Sequence, residues 1–329
     1  MRKLWPWLRL LMAVGILVAL GWRLGTGAFV DGLRAISAWS VLAALGIGLL
    51  TTVLSAWRWC VVARGLGLPL TLRTAVSDYY RGLLLNSVLP AGVLGDVHRA
   101  VNHGQQSGDI GRGVRAVVFE RFAGQVVLIA VGVGVLFTQP ELISELALDF
   151  TPRPAVVVTV LAVLALATGV AVVLAGRSHK VRRGLRTTWV DARFGLLSRH
   201  TLPKVVFSSA ATVVGHVALF VVAARVAGSS ASIGQLVPLI VLALLVMGLP
   251  INVGGWGPRE AFLAVAFGAT GLGAAQGVTT AVVYGVLAMI AGLPGVLALF
   301  RRRELRVEHR EVLAERLDQP RQQIPALVG

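Results

Sequence analysis

Two stretches of the chain place proline, glycine and arginine at matching intervals inside apolar sequence. Leu89, Pro90, Val93, Gly95 and Arg99 fall at the spacing of Leu249, Pro250, Val253, Gly255 and Arg259, each pair 160 residues apart, so both read L-P-x-x-V-x-G-x-x-x-R. Leu, Val and Gly are abundant here, and the match rests on Pro and Arg at a common offset. Proline removes a backbone donor and glycine permits a sharp turn. Each break therefore frees N–H groups, which are costly in lipid until they find a partner. A phosphate suits them, because helix N-termini and glycine turns present clustered donors with a favourable dipole.

Charged residues accompany both breaks. Asp96, His98 and Arg99 follow the first, Glu120 and Arg121 lie further on, and Arg259 with Glu260 follows the second. Ionisable groups at membrane depth usually face a cavity or one another. Arginine also offers a fork that can hold two phosphate oxygens at once. Arg99, Arg121 and Arg259 are therefore the expected headgroup or phosphate contacts, with Asp96, Glu120 and Glu260 as their counter-ions. Plainer roles compete: Glu120 with Arg121 as an interfacial pair, Arg259 with Glu260 in an ordinary loop, Asn86 as a helix cap, and His216 as a buried hydrogen-bonded histidine.

The elements that must position these residues follow from hydropathy. Of 329 residues, 56% are hydrophobic and 14% charged, against about 25% charged in soluble domains. The bilayer is the expected solvent, and the predicted class is all-α and polytopic. Windows long enough to span lie near 8–24, 38–62, 114–137, 155–175, 204–227 and 276–300, about 20 residues being the requirement. The first is taken as an uncleaved span rather than a signal peptide. Of 31 Lys and Arg, 25 fall in segments on one side of these spans, which by the positive-inside rule is the cytoplasmic side and holds both termini. Trp57, Arg58 and Trp59 suggest a headgroup-level cluster in which Arg58 snorkels.

Between the spans lie two broken apolar segments, predicted as re-entrant hairpins at about 78–102 and 233–271 that enter from opposite faces as an inverted repeat. Residues 1–303 would form one transmembrane unit and 304–329 a short charged cytoplasmic tail. The loop over 176–204 is the most basic and would lie against anionic headgroups.

A net charge of +16 could indicate nucleic acid, but the cations sit between spans rather than on one soluble face, so no nucleic-acid partner is expected. Cys60 is the only cysteine, which excludes an internal disulfide or a cysteine-based metal cluster. No metal or cofactor is expected. Without a Walker motif, lipid movement would be passive or coupled to an ion gradient. An intramembrane lipid-phosphate enzyme using Asp96, His98 and Arg99 is the weaker alternative, since residues two apart on a helix do not face one another. A non-transporting assembly partner of an envelope enzyme is the other alternative.

The order WRW (57–59), YYRGLLLNSVLPAGVLGDVHRA (79–100), FER (119–121) and GGWGPRE (254–260) resembles the flippase-like membrane domain of bacterial lysylphosphatidylglycerol synthases and their stand-alone relatives, over about residues 5–300. The resemblance implies a lipid cavity near Asn86, Pro90, Gly95, Asp96, Arg99, Glu120, Arg121, Gly254, Gly255, Gly257, Arg259 and Glu260, and translocation of an anionic or aminoacylated lipid between leaflets. The synthases' aminoacyl-transferase domain has no counterpart in this sequence, so lysyl transfer is not implied. Expected partners are a membrane phospholipid or polyprenyl-phosphate-type lipid, and a second copy of the chain or a separate lipid-modifying enzyme.

Overall fold

A computed structural model describes residues 27–88, 94–138, 179–248 and 256–298. Ten helices and no strand occupy them: α1 (Gly27–Arg34), α2 (Ala38–Gly65), α3 (Leu72–Val88), α4 (Leu94–Gln106), α5 (Ile110–Thr138), α6 (His179–Gly195), α7 (Leu202–Val226), α8 (Ile233–Met247), α9 (Pro258–Ala269) and α10 (Ala274–Gly292). Four stretches are long and apolar enough to cross a bilayer: Ala38–Gly65, Ile110–Phe137, Leu202–Val226 and Ala274–Ala298. They match four of the six expected windows. The windows at 8–24 and 155–175, the acidic loop between 138 and 153, and the tail lie outside the described residues. The chain is an all-helical polytopic membrane protein.

Local chemistry starts the helices where the sequence turns. Ser37 opens α2 through a capping box with Ser40, and Ser232 opens α8 through one with Gln235. Pro258 begins α9 directly after Gly257, whose φ of 102° suits glycine. Lengths separate two classes of helix. At 28 residues α2 is about 42 Å long, whereas α4 with 13 and α9 with 12 reach only about 20 Å. That is short of a hydrocarbon core of about 30 Å.

These short helices occur in pairs, α3 with α4 and α8 with α9, each pair flanking one of the two sequence breaks. Residues 89–93 and 249–255 themselves, including Pro90, Pro250, Gly254 and Gly255, lie outside the described residues. α3 and α4 pack so closely that a Cβ on Gly95 would meet the Gly82 carbonyl oxygen at 2.1 Å. Small residues that let backbones approach are the usual device for joining helices in lipid.

The packing map repeats. Each unit consists of a span, two short helices and a second span: α2–α3–α4–α5 and α7–α8–α9–α10. Within the units α2 packs on α3, α3 on α4, α4 on α5 and α2 on α5, matched by α7 on α8, α8 on α9, α9 on α10 and α7 on α10. Between them α2 meets α10 as α7 meets α5, and α3 meets α10 as α8 meets α5. α2 and α7 meet each other. Thr51 lies against Gly215 and Arg58 bonds Ser209, so these two helices run antiparallel. An exchange axis between antiparallel spans lies across them, the relation found in inverted-repeat membrane folds. α1 packs on α10, and α6 on α2 and α5, outside the repeat.

If the backbone contact of Gly95 fixes the α3–α4 pair, Gly95→Ala lowers the thermal midpoint of the detergent-purified protein by several degrees, or abolishes folded yield. Gly134→Ala, at a site where a Cβ meets nothing within 4 Å, leaves the midpoint unchanged. Size-exclusion profiles with thermal melts measure both.

Candidate functional site

Glu120 sits ten residues into α5 with its side chain wholly buried. A lone carboxylate there would be prohibitively unfavourable, and α2 and α4 bring guanidiniums to it. Arg58 of α2 donates to Oε1 through Nε at 3.0 Å and through Nη2. Arg99 of α4 donates Nη2 to Oε2 at 2.6 Å, and the Tyr79 hydroxyl lies 3.3 Å from Oε1. The remaining capacity of Arg58 goes to Ser209 of α7 at 3.0 Å. One carboxylate thereby joins α2, α3, α4 and α5, and Arg58 extends the link to α7.

A second carboxylate continues the chain of charges. Asp96 in the first turn of α4 accepts from Arg99 Nε at 2.9 Å and from Arg121 Nη2 at 2.7 Å. Asn86, from the end of α3, accepts from the Gly95 amide at 2.8 Å and donates to Asp96 at 3.3 Å. Asn86 thus caps α4 from across the break, which is the plainer of its two expected roles. Arg99 is also flanked by rings, 4.8 Å from Trp59 and 4.5 Å from Tyr79, contacts that favour a desolvated cation.

The three guanidiniums of Arg58, Arg99 and Arg121 face two carboxylates, leaving one positive charge. It is not spread evenly. The Arg99 side chain is 1% exposed and enclosed, whereas that of Arg121 is 43% exposed. Arg121 and Arg58 border a cavity of about 230 Å³ among α2, α3, α5 and α7. Thr51, Thr52, Ser55, Ser209 and Thr212 line it with hydroxyls, Gln125 with an amide and His216 with an imidazole; no carboxylate among the described residues lines it. Its size is below the roughly 300 Å³ at which small-molecule pockets begin, suited to a phosphate-sized headgroup with its tails elsewhere. Gln125 also lies against Gly248, where a Cβ would come within 2.9 Å of its amide, so the cavity wall reaches the end of α8 before the second break.

The second break carries a different arrangement. Arg259 and Glu260 are 2% and 0% exposed, and Arg259 donates to Glu260 Oε1 through Nε at 3.0 Å and through Nη2. Glu260 Oε2 accepts from the Gly257 amide at 2.6 Å, closing the first turn of α9. Arg259 lies 5.1 Å from the Trp256 ring and 5.2 Å from Tyr284, and Tyr284 stacks on Phe220 at 3.7 Å. This cluster is neutral and filled with rings where the first holds a cavity.

The sequence residues therefore separate into two groups. Asn86, Gly95, Asp96, Arg99, Glu120 and Arg121 come together around the first break, and Gly257, Arg259 and Glu260 around the second. Of the three expected contacts, Arg121 alone borders the cavity. Arg99 stands behind it, held by Asp96 and Glu120, and Arg259 is enclosed by its own carboxylate and rings. Arg58 and Trp59 are 5% and 0% exposed, and Arg58, expected to snorkel, is held by Glu120 and Ser209 within the bundle. His98 is exposed. The hydroxyl lining was missed, yet a signal existed: Thr51, Ser55 and Arg58 recur at helical spacing on α2, as do Ser209, Thr212 and His216 on α7.

Glu120→Gln leaves two buried guanidiniums short of their charge, and breaking such a pair costs about 3–5 kcal/mol. Arg121→Ala removes a half-exposed partner and costs about 1 kcal/mol or less. Thermal denaturation in one detergent should rank Glu120→Gln far below Arg121→Ala; equal losses would refute the central role of Glu120.

Comparison with known proteins adds the family. A search of curated proteins returns no match. The family model described as the lysylphosphatidylglycerol synthase TM region matches residues 7–317, which includes both units, both breaks and the charged cluster. The chain belongs to the lysylphosphatidylglycerol synthase transmembrane-region family.

Proposed function

We propose that this chain moves the headgroup of an anionic or aminoacylated lipid between leaflets, the tails staying in the bilayer. One observation carries this: among the described residues, three guanidiniums face two carboxylates beside a hydroxyl-lined cavity without a carboxylate, inside a span bundle. A surplus cation at membrane depth is unfavourable until an anion joins it. A phosphate supplies that charge and accepts from the surrounding hydroxyls. Arg121 then makes the principal phosphate contact, with Arg58 beside it, while Asp96 and Glu120 hold the cluster in place. Family membership supports the same direction, since the family is described by the transmembrane region of a phospholipid synthase.

In this proposal α3–α4 and α8–α9 are re-entrant hairpins entering from opposite faces, and their breaks add backbone donors near the headgroup path. Residues 1–303 form the membrane unit and 304–329 a cytoplasmic tail, with both termini on the cytoplasmic side of a bacterial inner membrane. The chain acts on lipid without chemical conversion, and any lipid-modifying step belongs to a separate enzyme.

Purified protein in liposomes containing tail-labelled fluorescent phosphatidylglycerol or phosphatidylcholine would test this. Translocation is followed as loss of the label's back-extraction by albumin. The wild-type chain should speed exchange of phosphatidylglycerol, Arg121→Gln should slow it about tenfold or more by loss of a charge-assisted contact, and the exposed Arg112→Gln should match the wild type. Exchange no faster than in protein-free liposomes would overturn the proposal.

A further inference from the structure

A second basic recess lies away from the central cavity. α6 docks beside the start of α5, where Arg115 Nε donates to Asp191 at 2.6 Å, and a backbone contact between Gly65 and Gly195 pins its end to α2. The seam between α5 and α6 forms an open groove of about 780 Å³. Arg115, Arg183 and Thr188 supply its polar wall and Ile110 and Val114 its apolar one. With Asp191 committed to Arg115, Arg183 leaves the seam with a net positive charge, and no carboxylate among the described residues forms an ion pair with Arg183.

The apolar wall does not end at the seam. Ile110, Val114, Val118 and Phe122 follow one another four residues apart along α5, exposed by 48%, 39%, 54% and 62%. They form a ridge that starts at the cations and runs toward the membrane interior. Leu185 and Trp189, also four apart and exposed, give α6 an apolar flank suited to headgroup depth. A cationic recess continuous with an apolar ridge complements a molecule with an anionic head and a hydrocarbon tail. A soluble phosphate would use the first feature and leave the second without a role.

We infer that the α5–α6 seam binds one anionic phospholipid, its phosphate between Arg115 and Arg183 and one acyl chain along Ile110, Val114, Val118 and Phe122. The site is separate from the translocation cavity and stands whether or not the chain moves lipid. Bound there, the lipid bridges α6 to the start of the span that carries Glu120 and Arg121.

Native mass spectrometry of the delipidated full chain, titrated with dioleoylphosphatidylglycerol or dioleoylphosphatidylcholine, decides the matter. The wild type should retain phosphatidylglycerol in preference to phosphatidylcholine. Arg183→Gln should weaken retention about fivefold, the share of one interfacial cation. Arg186→Gln, the same charge loss on α6 outside the seam, should leave it unchanged, and Arg121→Gln should spare this class of bound lipid. Equal losses for Arg183→Gln and Arg186→Gln would mean diffuse surface charge and overturn the site. So would equal retention of the two lipids, or complete displacement of phosphatidylglycerol by millimolar inorganic phosphate.

Discussion

The architecture depends on a single carboxylate. Glu120 is the point at which α2, α4 and α5 exchange charge, and through Arg58 the link extends to α7 in the other unit. In water such pairs contribute little. Inside a span bundle each partner would be intolerable alone, so the pairs act as a constraint on register: sliding α5 by one turn would strand two cations. The hydroxyl-rich cavity lies beside this cluster, bordered by Arg58 and Arg121.

Much of this was legible in the sequence, and the limits have physical reasons. Span positions follow from length and hydropathy, which lipid enforces directly. Pro and Gly announced where helices stop, and the acidic partners were identifiable because a membrane chain with few carboxylates offers few choices. The partners of Arg58 were not legible, because an arginine between tryptophans shows a snorkelling position as readily as an internal pair, and only the packing of α2 on α5 and α7 reveals Glu120 and Ser209 beside it. Serine and threonine lining was obscured by a different effect. A hydroxyl in a helix can bond the carbonyl a turn back, as Thr51 and Thr212 do, and so it imposes no visible demand on the sequence.

The unlike fates of Arg99, Arg121 and Arg259 show how little a shared motif determines. Arg99 and Arg259 occupy matching places after their breaks and both lie among aromatic rings, yet each is committed to internal carboxylates. Arg121 comes from outside the repeated pattern and carries the exposure. The repeat thus pairs short helices in each unit, and the accessible charge is added by the neighbouring span. This division is economical in lipid, where a polar group without a partner must be neutralised within the protein.

The exchange relation between the two units has a consequence for the leaflets. Two halves of opposite direction would treat both sides of a membrane alike if their interiors were equivalent, but one holds an unbalanced cation beside open space and the other a neutral, ring-filled joint. If the chain moves an anionic lipid as proposed, a conformer and its counterpart with the roles of the halves reversed differ in energy, and the anionic guest meets a different affinity from each side. Without an external energy source that inequality leaves the final partition of the guest untouched. In that proposal it would govern which orientation the empty protein favours and at which surface the guest first engages it.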